Sequence, residues 1–216
     1  MATNQQRKQH QRQHILQVAQ QLFTRDGFKA THIATIAAAA DVSQVTLYKY
    51  FDSKLILGHQ VVLAMVTQGY DDFQVYVDDP DLSYQEIVQK MLLGSQQITD
   101  DLHPDFYRFI VDDMQGKHGT DETMVTYQAR KHHFWGAVIQ RGRQAGMITD
   151  RLSDDALMMY LDMFVTYVSS PAGQQMIDVT SDDTHFQAMT EQLNHLFFYG
   201  FIGVPPTTKE ETAHDN

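Results

Sequence analysis

From Ile15 onward the apolar residues of this chain recur with the spacing of one helix face, a period that leaves little room for any fold but a helical one. Ile15, Val18, Ala19, Leu22 and Phe23 stand at i, i+3, i+4, i+7 and i+8 within residues 13–26, which predicts a first amphipathic helix. Asp26-Gly27 supplies its stop, since glycine enters the left-handed region without steric cost, and Phe28 can then fold back onto the apolar face. Thr31 is the expected N-cap of a second, short helix containing Ile33, Ile36, Ala37 and Ala40, which breaks at Asp41-Val42. Ser43 is the expected N-cap of a third helix through Phe51, and Asp52-Ser53 restarts the chain into a fourth from Lys54 to Val77.

Further helices are expected at residues 83–102, 104–115, 121–144, 154–169 and 184–202, with Gly116, Gly119, Gly146, Pro171 and Gly173 in the breaks. Nine helices and no strand define an all-α chain. Its organisation reads as a head at 1–53 with a flexible N-terminal arm, a helical body at 54–203, and a disordered tail at 204–216, which carries Pro205-Pro206 and is otherwise polar. The fourth helix, leaving the head and entering the body, would couple the two mechanically.

The charge of the 216 residues is unevenly placed. Residues 1–58 hold seven Lys/Arg (Arg7, Lys8, Arg12, Arg25, Lys29, Lys49, Lys54) against Asp26, Asp41 and Asp52, a balance of +4, whereas the remainder stands at −15 within a total of −11. A basic head on an acidic body is the distribution of a nucleic-acid-binding module joined to a domain that does not touch nucleic acid. No stretch reaches the roughly 18 uninterrupted apolar residues of a membrane span. Residues 1–13 lack the apolar core of a secretory signal, so a cytoplasmic location is expected. The absence of cysteine removes disulfides, thiolate metal sites and thiol nucleophiles together.

Two short helices joined by a tight turn, the second presenting polar and aromatic groups, form the helix-turn-helix arrangement whose second helix enters the major groove. Leu47 and Phe51, four residues apart, can pack on Ile36, Ala37 and Val42, leaving Gln44, Val45, Thr46, Tyr48, Lys49 and Tyr50 outside. Phenol hydroxyls suit phosphate oxygens, and Lys49 and Lys54 add the charge that releases counterions. The alternative is a plain three-helix bundle with core aromatics and solvated lysines; Tyr48 and Tyr50 cannot both share the buried face of Leu47 and Phe51, which favours the DNA-binding reading.

Ile36-Ala37, Ala40, Val42-Ser43, Thr46-Leu47-Tyr48-Lys49-Tyr50-Phe51 and Ser53-Lys54 stand in an order that resembles the TetR family of bacterial transcriptional regulators, over roughly residues 12–58. The resemblance implies that Tyr48 and Lys54 hold phosphates and that Gln44, Thr46 and Tyr50 face bases or backbone. With Thr31, Ser43, Val45 and Lys49 these form the candidate DNA-binding set. Two positions depart from the family pattern. Asp41 replaces a turn glycine, a change that Asp tolerates better than most residues, and Val45 replaces a small residue and could instead meet a thymine methyl. The resemblance further implies a homodimeric repressor on double-stranded DNA, at a pseudo-palindromic operator, released by a small-molecule inducer, with activation as the other mode.

In the body, residues 156–168 are apolar almost all round apart from Asp162 and Thr166, so this helix must be buried on several sides. Together with 184–202 it resembles the family's pair of dimerising helices, which would set two recognition helices roughly 34 Å apart; internal core is the alternative. Phe73, Phe106, Phe109, Met114, Met124, Tyr127, Phe134, Trp135 and Met163 are candidates to line an apolar ligand cavity, although aromatic and Met residues at helical spacing also build ordinary cores. Asp162 could be a satisfied polar core group, a partner for a basic residue or a counter-charge for a cationic ligand. His103, His118, His132-His133 and His185 form no i, i+4 pair, so no metal and no cofactor are expected. An enzyme would need a convergent acid, base or metal cluster, of which no motif is present. A dimeric helical adaptor or ligand-binding protein without DNA binding is the remaining alternative, and it has no use for the Tyr48-Lys49-Tyr50 and Lys54 cluster.

Overall fold

The computed structural model describes residues 3–100 and 102–173, with single positions at 175, 192, 193 and 196. Among the described residues there are eight α-helices and no strand: α1 Asn4–Asp26, α2 Ile33–Ala39, α3 Gln44–Tyr50, α4 Lys54–Asp78, α5 Tyr84–Asp100, α6 Pro104–Met114, α7 Glu122–Gln144 and α8 Asp154–Ser169. The all-α expectation holds, and helix ends fall within a few residues of those read from capping and breaker residues. The expected helix at 184–202 and the tail at 204–216 lie outside the described residues, apart from the single positions named.

Two sequence expectations need correction. The N-terminal arm is helical from Asn4, nine residues before the first helix was expected to begin. Thr3 caps it, with Thr3 Oγ1 accepting from the Gln6 amide and Gln6 Oε1 accepting from the Thr3 amide. This reciprocal pair satisfies amides that would otherwise be orphaned, and it stabilises a stretch too polar to show helical periodicity. Thr31 is not the N-cap of α2. His32 occupies that position without a side-chain bond, and the buried Thr31 hydroxyl donates instead to Gly27 O (2.7 Å) and more weakly to Leu22 O (3.3 Å), tying down the end of α1.

The apolar face of α1 packs on α2, α3 and the start of α4 in one core that contains Ile15, Phe23, Ile36, Leu47, Phe51, Leu57 and Val61. That core does not end at residue 53. Phe106 and Phe109 of α6 are buried in it: Phe106 lies 5.4 Å from Phe23, and Phe109 stacks on Phe28 at 3.9 Å. A second core joins the far half of α4 to α5 and α7 through Val77, Ile87, Val88, Met91, Phe134 and Val138, and a third joins α7 to α8 through Ile139, Leu157 and Leu161. Helix α4 therefore takes part in both the head and the body, with α7 running against it. At its far end the Arg141 guanidinium of α7 donates to the carbonyls of Val77, Asp79 and Leu82, satisfying acceptors at the end of α4 and in the connection to α5.

The head meets the body closely at Gly58 in α4. A Cβ there would lie 2.6 Å from Phe109 Cζ and 2.7 Å from Phe28 Cε2, whereas one at Gly69 on the same helix meets nothing within 4 Å. Both rings at Gly58 are themselves backed by Phe23 or Phe106, so neither can step aside cheaply. Gly58→Ala is expected to lower stability by about 1–3 kcal/mol through overpacking, and Gly69→Ala to raise it by up to about 1 kcal/mol through helix propensity. Thermal unfolding of the two variants checks the opposite signs.

Candidate nucleic-acid interface

The turn between α2 and α3 is built by backbone bonds. Asp41 N donates to Ala38 O and Val42 N to Ala37 O (2.9 Å), and Asp41 takes φ +52°, the single non-glycine residue with positive φ among those described. Asp is among the side chains that tolerate this region, so the turn survives without the expected glycine. Ser43 then caps α3, accepting from the Thr46 amide at 3.0 Å while its hydroxyl also pairs with Thr46 Oγ1 at 2.9 Å. The expected cap is present, and it satisfies one of the amides that the first turn of α3 leaves without an intrahelical partner.

Leu47 (0% exposed) and Phe51 (1%) lie in the head core with Ile36, Ala37 and the half-buried Val42. The opposite face consists of Gln44, Val45, Tyr48 and Lys49, all exposed, with Val45 at 67% and Tyr48 at 46%. An exposed valine beside an exposed tyrosine on a capped seven-residue helix is an arrangement that water alone does not favour, and it suits contact with base edges and phosphates.

The remaining members of the candidate set are placed differently. Tyr50 is half-buried against the head core, and its hydroxyl donates to Gln11 Oε1 of α1 at 2.8 Å, so it braces α3 rather than standing free. Its position three residues beyond Leu47 turns it toward α1, a contact that helical spacing within α3 alone cannot reveal. The Lys54 ammonium sits 4.5 Å over the Phe28 ring and donates to Lys29 O at 3.2 Å. Burial pushes its pKa below the ordinary lysine range, against the opposing charge of Asp105. Thr31 faces inward, as described above. Sequence reasoning missed Arg12, whose guanidinium lies 5.2 Å over Phe51 and donates to Gln60. It also missed Asp105, which accepts from the Lys29 amide at 2.7 Å. Both partnerships join residues 39 or more apart in the chain, and no local signal carries them.

The candidate ligand residues fall in separate places. Phe106 and Phe109 belong to the head core. Phe73, Phe134 and Trp135 belong to the α4–α5–α7 core, with Tyr127 placed 6.1 Å from Tyr70. Met114 and Met124 are half-buried, and Met163 is 62% exposed on α8. Asp162 accepts a hydrogen bond from the Lys131 ammonium, which is wholly buried on α7. Burial raises the Tyr127 phenol pKa to about 12, and the nearby Asp162 charge adds to the effect.

Substitution at Asp41 tests the turn. Asp41→Gly is expected to keep or raise thermal stability, whereas Asp41→Val should lower it by roughly 1–2 kcal/mol, because a β-branched residue pays the full cost of left-handed backbone.

Residues 15–57 match the family described as bacterial regulatory proteins, tetR family, and that segment contains α2, the turn and α3 entire. No curated protein matches the chain. Among solved structures, a TetR-family transcriptional regulator from Mesorhizobium loti is similar at 19% identity and TM-score 0.54, covering 90% of this chain and 97% of its own. The fatty acid degradation regulator FadR from Bacillus halodurans is similar at 14% identity and TM-score 0.53, covering 88% and 95%. The reduced form of NemR from E. coli is similar at 12% identity and TM-score 0.54, covering 85% and 95%. At these identities the likeness shows the fold, and the fold extends over nearly the whole length of each relative. The segment that presents α3 thus matches the DNA-binding head of the tetR family at residues 15–57, and the chain is a DNA-binding transcriptional regulator whose fold is that of the solved structures named above.

Proposed function

We propose that the chain works as a homodimeric repressor that holds a pseudo-palindromic operator with two copies of α3 and leaves it when a small molecule occupies the body. The observation that carries the DNA contact is the exposed outer face of α3. Gln44, Val45, Tyr48 and Lys49 point away from the core, on the part of the chain whose charge is +4 beside a remainder at −15. Tyr48 donates to a phosphate, Lys49 supplies counterion release, and Val45 meets a thymine methyl. Lys54 reaches a phosphate only after leaving Phe28, so its share is smaller than that of Lys49.

Dimerisation is supported by α8. Met159, Tyr160, Met163 and Tyr167 are 48–62% exposed on a helix whose other side, Leu157, Met158 and Leu161, is buried. An apolar face of that kind is the surface a second copy would cover. For the ligand, the buried Lys131 ammonium beside Tyr127, paired with the half-buried Asp162, gives the body a polar anchor among aromatic groups, the usual make-up of a small-molecule site. Release would follow from differential affinity of the ligand for two placements of the heads. The proposed protein acts through binding, with no catalytic step, and in the cytoplasm. None of the helices is long and apolar enough to cross a membrane among the described residues.

The test is binding of the full chain to labelled duplex DNA from upstream of its own and neighbouring genes, at several salt concentrations and against random competitor. Tyr48→Phe is expected to weaken specific binding by about 1.5 kcal/mol, roughly tenfold, as loss of a hydrogen bond to a charged group. Lys49→Ala should weaken it on every sequence and reduce the salt slope by about 1. Sedimentation of the same samples should give a dimer, and Met163→Glu a monomer. Unchanged binding by both α3 variants would sink the assignment of the interface, and binding no better than to random DNA would favour the adaptor reading.

A further inference from the structure

Asp113 of α6 is wholly buried, and hydrogen-bonding groups from three other places converge on its carboxylate. Thr123 Oγ1 of α7 donates at 2.6 Å, His118 Nδ1 from the α6–α7 turn lies at 3.0 Å, and His59 Nδ1 of α4 lies 3.0 and 3.1 Å from its two oxygens. The other ring nitrogen of His59, Nε2, lies 3.2 Å from Glu122 Oε2 in the first turn of α7. His59 is thus held between two carboxylates on two different helices. A carboxylate only accepts, and a neutral imidazole has one N–H to give; only the imidazolium can donate on both sides.

Nothing in DNA contact or ligand capture uses this cluster, yet it sits against the head. The His118 ring stacks on Phe109 at 4.4 Å, Phe109 stacks on Phe28 at 3.9 Å, and Phe28 carries the Lys54 ammonium. Gly58, next to His59, is the point at which both phenylalanines touch α4. We propose that His59 is a proton-operated latch between α4, α6 and α7: its imidazolium fixes the first turns of α4, and with them the head, while loss of the proton frees the head and weakens DNA binding. The freed head must be ordered again on DNA, and that conformational entropy is charged against affinity.

The charged surroundings support the protonated form. Facing His59 are Asp113 from α6, His118 from the turn and Glu122 from α7, and α1 brings Arg12 to the adjoining Gln60. On α4 itself the nearest cation is Lys54, directed to Lys29 O and Phe28. Asp112 and Lys117 pair with each other at the surface. Burial acts to lower the His59 pKa, but the hydrogen bonds and charges of Glu122 and Asp113 outweigh it, and the net direction is upward from 6.5. A group whose folded pKa is raised contributes stability that is fully present below its unfolded value, here about 6.5, and lost as pH rises through the folded value.

The experiment compares wild type, His59→Gln and Glu122→Gln as full chains at about pH 6 and about pH 8.5, by NMR titration of the histidine rings, thermal unfolding, and binding to a duplex selected by the protein from a random pool. In wild type the His59 ring should titrate above the ordinary histidine range, the melting temperature should fall with rising pH, and DNA affinity should drop by at least about fivefold, the low end of allosteric couplings. His59→Gln should lose that part of both responses. The difference between wild type and His59→Gln isolates the latch from the chain's other ten histidines. Glu122 is largely exposed, so Glu122→Gln keeps the fold even where His59→Gln does not, and it should move the His59 midpoint to lower pH. A His59 ring titrating at or below the ordinary range, an unmoved midpoint in Glu122→Gln, or a full pH response in folded His59→Gln would each overturn the proposal.

Discussion

The placement of the head depends on two aromatic rings meeting a glycine. Phe28, just beyond the end of α1, and Phe109 of α6 stack at 3.9 Å over Gly58, so close to α4 that a Cβ there would force a ring to shift. Because α4 is one uninterrupted helix from Lys54 to Asp78, the rings set the angle at which the head leaves the body, and α7 carries that setting toward α8. Packed cores resist continuous deformation, so a junction of this kind favours discrete placements of the head over a range of them.

Electrostatics follows the same line. The outer face of α3 stays free because Leu47 and Phe51 consume the other face, while cations nearer the junction are held by the protein itself. Lys54 rests on Phe28, and Arg12 rests on Phe51. Buried ionic groups occur in pairs on different helices, Lys131 with Asp162 and His59 with Asp113, as the cost of an unpaired charge in a dry core requires. Each pair ties two helices at the places where head and body, or α7 and α8, must stay in register.

The local grammar of the chain was readable in advance. Ser43, Ser53 and Ser153 each stand before a helical period, and each accepts from the amide three residues on. Asp41 marked the turn, and Leu47 with Phe51 marked the inner face of α3. The start of α1 is not legible in the sequence, because a stretch that is polar all round has no apolar period to find. Tyr50 and Lys54 read as solvent-facing for a different reason: periodicity within one helix says which side points away from that helix's own core, but not what another part of the chain brings against it.

By itself the sequence determined the course of α2 to α8, the cap at Ser43, the turn between α2 and α3, and the inward face of α3, since all of these rest on interactions spanning three to eight residues. Tertiary structure alone decided which side chains stand free at that interface and which are claimed from within. It also decided that Phe106 and Phe109 belong to the head's core and that His59, Asp113, His118 and Glu122 converge. Those partnerships join residues up to 83 positions apart, as Phe23 is from Phe106, and the free energy that selects them comes from whole helices packing against one another, a quantity that no local pattern records.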